Sequence, residues 1–126
     1  MNNDIQNMVE KTQKQLRRGI LELCVLSIIS EKEAYPSDII EQLEKAEMIV
    51  VEGTLYPLLT RLKNAGMLSY NWQESTSGPP RKYFHLTEKG STFLKAIQNS
   101  WTELVAGVQS IISEEEHKVE FKTENN

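Results

Sequence analysis

The hydrophobic period of the chain changes at Gly66. Before it, Leu55, Leu58, Leu59 and Leu62 recur at the three-and-four spacing of one helix face. After it, Leu68, Tyr70 and Trp72 alternate with Ser69, Asn71 and Gln73, the period of two of a half-buried strand. Gly66 suits the left-handed residue that ends a helix. Residues 75–80 (STSGPP) form a strong turn signal, and Arg81 to Leu86 supplies a second short strand with Lys82, Phe84 and Leu86 on one side. The centre of the chain is therefore expected to be a helix that feeds directly into a β-hairpin with a long tip.

Upstream, Ile5, Met8, Val9, Thr12 and Leu16 fall at helical spacing among Lys and Gln, an amphipathic helix. Ile20 to Ile29 is apolar nearly all round and reads as a buried helix, so this region is either one bent helix or two in series. A turn at residues 31–36 leads to a short helix with Ile39, Ile40 and Leu43 inward, Pro36 at its start, and Ser37 or Tyr35 near the cap. Thr54 is expected to cap the following helix, with Pro57 in its first turn and Ala65 at its end. Thr87 caps a last helix of about 25 residues, whose apolar stripe from Phe93 to Ile112 is longer than a compact domain needs for its own core.

The order is α-α-α-α-β-β-α: mainly α with a small β-hairpin, the order of a winged helix-turn-helix plus a long C-terminal dimerisation helix. The division expected is 1–86 for the winged helix-turn-helix with its N-terminal helix, 87–113 for the dimerisation helix, and 114–126 for an acidic tail.

Length and composition narrow the function. The 126 residues are one domain's worth, without room for a separate catalytic domain. No apolar run approaches a membrane span, and the N-terminus lacks the basic start and apolar core of a signal peptide, so the chain reads as cytoplasmic. The single cysteine, Cys24, excludes an internal disulfide and a cysteine-based metal cluster, and in an apolar helix it reads as a core residue. His85 and His117 have no nucleophile or carboxylate constellation around them. No phosphate loop or metal-ligand spacing occurs. The reading is of a protein that is not an enzyme and needs no cofactor or metal.

The net charge of −4 runs against nucleic-acid binding, but its distribution does not. Residues 113–126 hold five Glu against two Lys, a net of −3, which leaves the body near −1. Cations cluster within that body: Lys11, Lys14, Arg17 and Arg18; Arg61 and Lys63; Arg81 and Lys82. On the helix from Thr54, the face opposite the leucines carries Tyr56, Pro57, Thr60, Lys63 and Asn64, groups that reach phosphate oxygens and base edges. A tyrosine on the polar side of a leucine-striped helix fits a phenol hydroxyl on a phosphate. Arg81 and Lys82 follow the hairpin tip and can reach a phosphate or the minor groove. With Ser37 and Thr54 at the starts of their helices, these are the candidate DNA-binding residues. Arg61, on the flank, either holds a carboxylate within the fold or touches DNA. Trp101 sits in the middle of the last helix's stripe, where a dimer core is the simplest role.

Taken together, Gly53-Thr54-Leu55-Tyr56-Pro57, Leu59, Arg61-Leu62, Gly66, Gly78-Pro79, Arg81-Lys82-Tyr83 and Leu86-Thr87-Glu88-Lys89-Gly90 resemble, in order and spacing, the signature of the PadR family of bacterial transcriptional regulators. The resemblance covers about residues 15 to 105, and the short C-terminus is similar to the subfamily with a single C-terminal dimerisation helix. After Tyr35 the family usually carries Gly and an aromatic residue, where this chain has Pro36 and Ser37. The resemblance implies a homodimeric repressor on a pseudo-palindromic double-stranded DNA operator. It also implies a second role for Trp101: a flat aromatic effector sandwiched at the dimer centre, with Met8, Val9 and Val105 as further walls. The rival class is a winged-helix module for protein–protein contact, which the acidic balance fits.

Overall fold

A computed structural model of the chain describes residues 2–124, with side chains described over 2–113. Its elements are α1 (Asn3–Glu31), α2 (Pro36–Lys45), α3 (Glu52–Asn64), β1 (Leu68–Ser75), β2 (Gly78–Leu86) and α4 (Glu88–Glu124). This is the mainly helical winged helix-turn-helix with a C-terminal helix that the hydrophobic periods predict. It falls into two compact units, Met1–Leu94 and Lys95–Asn126.

The N-terminal region is one helix, not two. The Asn2 side chain accepts from the N–H groups of Asp4 (2.7 Å) and Ile5 (3.2 Å) and starts it. Gly19 costs only about 1 kcal/mol of helix propensity and breaks no hydrogen bond, so α1 runs through it. Val25, Leu26 and Ile29 are buried, and residues 2–16 stand in solvent. The Cys24 thiol, pushed up by burial, lies 3.9 Å from the Met48 sulfur.

Tyr35, not Ser37, occupies the cap of α2, and its N–H donates to the Asp38 carboxylate at 3.0 Å. Pro36, Ile39 and Leu43 are the buried residues of this helix. It ends in a Schellman motif: Met48 N–H donates to Leu43 C=O at 2.8 Å and Glu47 N–H to Glu44 C=O at 2.9 Å. Glu47 holds the left-handed position, at φ 60°.

α3 begins three residues earlier than the sequence suggests. Its cap is Val51, which offers no side-chain acceptor, so Thr54 lies inside the first turn and Pro57 inside the helix. Pro57 has no N–H to give the Gly53 carbonyl, a loss borne by one exposed backbone group near the helix start. Leu55, Leu58, Leu59 and Leu62 are buried, the largest exposure among them being 8%. The end is a second Schellman motif, with Gly66 at φ 80°, Met67 N–H on Leu62 C=O at 2.9 Å and Gly66 N–H on Lys63 C=O at 3.0 Å.

The hairpin tip is short where a long one was expected. Strand pairing continues to Ser75↔Gly78, and the register shifts between Gln73 and Ser75, so that Pro79 and Pro80 stand opposite Glu74 in a bulge. A bulge at the end of a two-stranded sheet accepts prolines because no ladder N–H is needed there. The alternation of β1 also fades toward the tip: Leu68 is buried, Tyr70 half-buried and Trp72 61% exposed. At the other end Ala34 pairs with Phe84 through two backbone hydrogen bonds, of 3.0 and 2.8 Å, tying the α1–α2 connection to the wing.

Thr87 caps α4, accepting from the Gly90 N–H at 3.0 Å. The helix then runs to Glu124, 37 residues in place of the roughly 25 expected. In the unit Lys95–Asn126, Trp101, Leu104, Val108, Ile111 and Ile112 are exposed on it. No helix among the described residues is long and apolar enough to cross a membrane.

Candidate nucleic-acid interface

Burial of the leucine face of α3 fixes what its other face must show. Tyr56, Pro57, Thr60, Lys63 and Asn64 all stand in solvent. Against this face the hairpin brings aromatic rings on which cations rest. The Lys82 ammonium lies 4.6 Å from the Tyr70 ring centre and 5.2 Å from that of Trp72, and Lys63 of α3 lies 5.8 Å from the same Tyr70 ring. The Arg81 guanidinium lies 4.9 Å from the ring of Tyr35, the cap of α2. A cleft of about 270 Å³ between α3 and the wing is lined by Tyr56 and Thr60 on one side, by Trp72, Arg81 and Lys82 on the other, and by Tyr35 and Pro36 at the α2 start.

Tyr56 is 45% exposed. Partial burial, then the Glu52 carboxylate and Tyr35 nearby, push its phenol above the ordinary tyrosine value, so at neutral pH it is an O–H donor. Arg61 faces the other way and meets Glu22 of α1 at 3.5 Å, an ion pair within the fold.

Four of the residues singled out in the sequence, Tyr56, Thr60, Arg81 and Lys82, thus meet at one cleft, and Lys63 joins Lys82 through Tyr70. Ser37 and Asn64 are exposed in the first turn of α2 and at the last residue of α3. Thr54 lies at the far end of α3 in a separate groove, with Lys14, Arg17 and Arg18 of α1. Sequence reasoning missed Tyr35, Tyr70 and Trp72 as supports for the cations. The pairing Trp72↔Lys82 would have pointed to them, but it needs the true tip length, which the glycine and prolines at 78–80 disguise. Of the four residues tied to an effector, Met8 (67% exposed) and Val9 (38%) lie on α1, and Trp101 (41%) and half-buried Val105 on the second unit's part of α4.

Three helices followed by a hairpin whose cations flank the third helix define a winged helix-turn-helix, a DNA-binding fold. Residues 25–96 match the family described as the transcriptional regulator PadR-like family. Solved relatives agree. A PadR-like transcription factor from Bacteroides fragilis is 54% identical over 80% of this chain and 98% of its own, with a TM-score of 0.69. A PadR family transcriptional regulator from Eggerthella lenta is 31% identical, covering 88% and 97%, with a TM-score of 0.82. A PadR-like transcriptional regulator from Bacillus cereus is 35% identical, covering 78% and 96%, with a TM-score of 0.71. The chain belongs to the PadR-like family of transcriptional regulators, and is a DNA-binding regulator.

Proposed function

We propose that two copies bind a pseudo-palindromic double-stranded operator as a homodimer and repress the promoter beneath it. The observation that carries this reading is the placement of a tyrosine, a threonine and two wing cations around one cleft beside α3. α3 enters the major groove. Tyr56, Thr60, Lys63 and Asn64 meet phosphates and base edges, with Thr54 and Pro57 near the entering end. Ser37 takes a phosphate from the start of α2, and Arg81 and Lys82 follow the adjacent backbone. In an isologous dimer the half-sites lie about 34 Å apart, one DNA turn. Residues 1–86 form the DNA-binding part, 87–113 the dimerisation helix and 114–126 an acidic tail. The exposed stripe of α4 supports the dimer, because a stripe of this kind in water needs a partner surface. The protein works in the cytoplasm, where its DNA is.

The effector reading places a flat aromatic molecule between two Trp101 rings, beside Met8, Val9 and Val105. It lowers operator affinity by no more than its preference for one dimer shape over the other.

The deciding experiment is a gel shift on the chain's own upstream DNA against nonspecific competitor, with a salt titration. A specific complex of dimer stoichiometry, whose salt slope falls by about one unit per protomer in Lys63→Ala, supports the reading. Binding that is weak and equal on any DNA moves it to the protein-contact module that the acidic balance favours. An aromatic ligand panel that leaves both Trp101 fluorescence and operator affinity unchanged removes the effector.

A further inference from the structure

The groove at the far end of α3 belongs to neither the wing cleft nor the apolar stripes. It measures about 520 Å³ and is lined by Lys14, Arg17 and Arg18 of α1, by the turn from Met48 to Val51, and by Thr54. From Lys11 to Leu21 the chain carries four cations and no carboxylate. Among the described residues none of the four is in an ion pair; of the carboxylates that flank the run, Glu22 faces Arg61, and Glu10, on the same side of the helix, accepts from Gln6 Nε2 at 3.1 Å.

The disposition of these cations around α1 is the informative part. At about 100° per residue, Ile5, Met8, Val9, Thr12 and Leu16 cluster within about 100° of arc. Lys11, Lys14, Arg17 and Arg18 fall on the opposite side, centred about 165° away. α1 therefore has two separate exposed faces: an apolar one, with Met8 and Leu16 each 67% exposed, and a basic one that shares its groove with the first turn of the DNA-entering helix.

We infer that the Lys11–Arg18 face of α1 is a third DNA contact, a clamp on the phosphate backbone beside the first turn of α3. This deepens the operator reading and rests on it. The row spans about 10 Å along the helix axis, and one DNA strand carries a phosphate about every 3.4 Å of its axis, so several phosphates lie within reach. Continuity with Thr54 and four cations outside any ion pair, against the single carboxylate of Glu10 on this side of α1, select a polyanion. Point charges on flexible stems read no base, so the clamp adds affinity and salt sensitivity without sequence preference. It also accounts for how a chain of net charge −4 binds DNA: its cations lie on the faces that meet phosphate.

The test compares Lys14→Gln/Arg18→Gln with the wild type and with the charge-keeping Lys14→Arg/Arg18→Lys, all checked for native helicity by circular dichroism. The readouts are the salt slope of operator binding and an ethylation-interference map. The Gln pair is expected to lower affinity at least tenfold and the slope by roughly three to four units per dimer, at about 0.9 per phosphate contact. Interference is expected to disappear at the phosphates flanking each half-site, and the charge-keeping pair to restore both. A wild-type slope and map in the Gln pair, while Lys63→Ala still lowers the slope, overturns the clamp alone and leaves the groove to an acidic protein segment. A wild type without salt-sensitive DNA binding overturns the operator reading and the clamp together.

Discussion

The Thr87 hydroxyl donates to the Gly66 carbonyl across 2.6 Å, which joins the start of α4 to the end of α3. The same oxygen accepts from the Gly90 N–H, and the Lys89 ammonium donates to the Ala65 carbonyl at 2.8 Å. The last turn of α3, whose carbonyls have no helical partner, is thereby satisfied by the first turn of α4. The two turns lie so close that a Cβ on Gly90 would overlap the Met67 carbonyl oxygen, with Leu86 Cδ1 only 3.0 Å away. The Leu86-Thr87-Glu88-Lys89-Gly90 run is thus a joint between helices.

Gly90→Ala is therefore expected to destabilise by about 1–3 kcal/mol, because backbone and not a flexible side chain must move. Thr87→Val removes a cap and a donor and is expected to cost about 1–2 kcal/mol, with Thr87→Ser recovering most of it. Urea unfolding followed by circular dichroism measures both. Wild-type stability in Gly90→Ala would show that the two turns do not make this close approach.

The two Schellman motifs make a contrast that predicts a stabilised variant. Gly66 ends α3 at φ 80° without steric cost, but Glu47 ends α2 at φ 60° with a Cβ. Strain in this region costs of order 1 kcal/mol, offset in part by the greater freedom of glycine in the unfolded chain. Glu47→Gly is expected to raise unfolding free energy by about 0.5 kcal/mol and Glu47→Ala to leave it nearly unchanged. A midpoint that falls in Glu47→Gly would count against the left-handed turn.

The fold was legible where periodicity is strong and blurred where end chemistry decides. The leucine stripe of α3 and the cap at Thr87 are each set by a local pattern, and each lies where that pattern puts it; the alternation of β1 locates the strand but its burial fades to an exposed Trp72. Thr54 misled because a threonine before an apolar run signals a cap, yet Val51 takes that place with no side-chain acceptor. The choice between one helix and two across residues 18–20 stayed open in the sequence, and the helix runs through Gly19 unbroken. The candidate site was half legible. Its polar residues follow from the helix wheel, but the rings beneath its cations follow from register, which a tip expected at 75–80 and found at 76–77 conceals. The α1 cations were visible as a cluster, and only the groove shared with Thr54 gives them a place.

Tyr70 is expected to take part in binding although it lies in a strand. Its ring lies under both Lys63 of α3 and Lys82 of the wing, and it packs on Phe84 at 5.7 Å between centroids. Each such cation–ring contact at a partly exposed site is worth about 0.5–1 kcal/mol. Tyr70→Leu keeps an apolar side chain but frees both ammonium groups, and operator affinity is expected to fall about three- to tenfold with an unchanged salt slope, since no phosphate contact is lost. Tyr70→Phe, which keeps the ring, should bind like the wild type. Equal losses in the two variants would assign the effect to the hydroxyl and remove the platform. Fluorescence anisotropy of a labelled operator measures each.

The raised value of the Tyr56 phenol sets a pH dependence. Burial, Glu52 and Tyr35 all disfavour the phenolate in the fold, so the neutral form is the one stabilised. Its contribution to stability is fully present below the ordinary tyrosine value of about 10 and is lost as pH rises through the higher folded value. A phosphate next to the hydroxyl disfavours the phenolate further, and operator binding moves the titration the same way. From about pH 7 to about pH 9 the phenol therefore stays a donor, and the affinity ratio of wild type to Tyr56→Phe should be flat there. A hydrogen bond to a charged group is worth about 1.5–3 kcal/mol, so that ratio is expected to be about tenfold or more. Anisotropy titrations across this range test both statements. A ratio near one removes Tyr56 from the contacts, and a ratio that collapses within the range means that the phenol ionises well below its ordinary value and that the carboxylate and burial around it do not act as described.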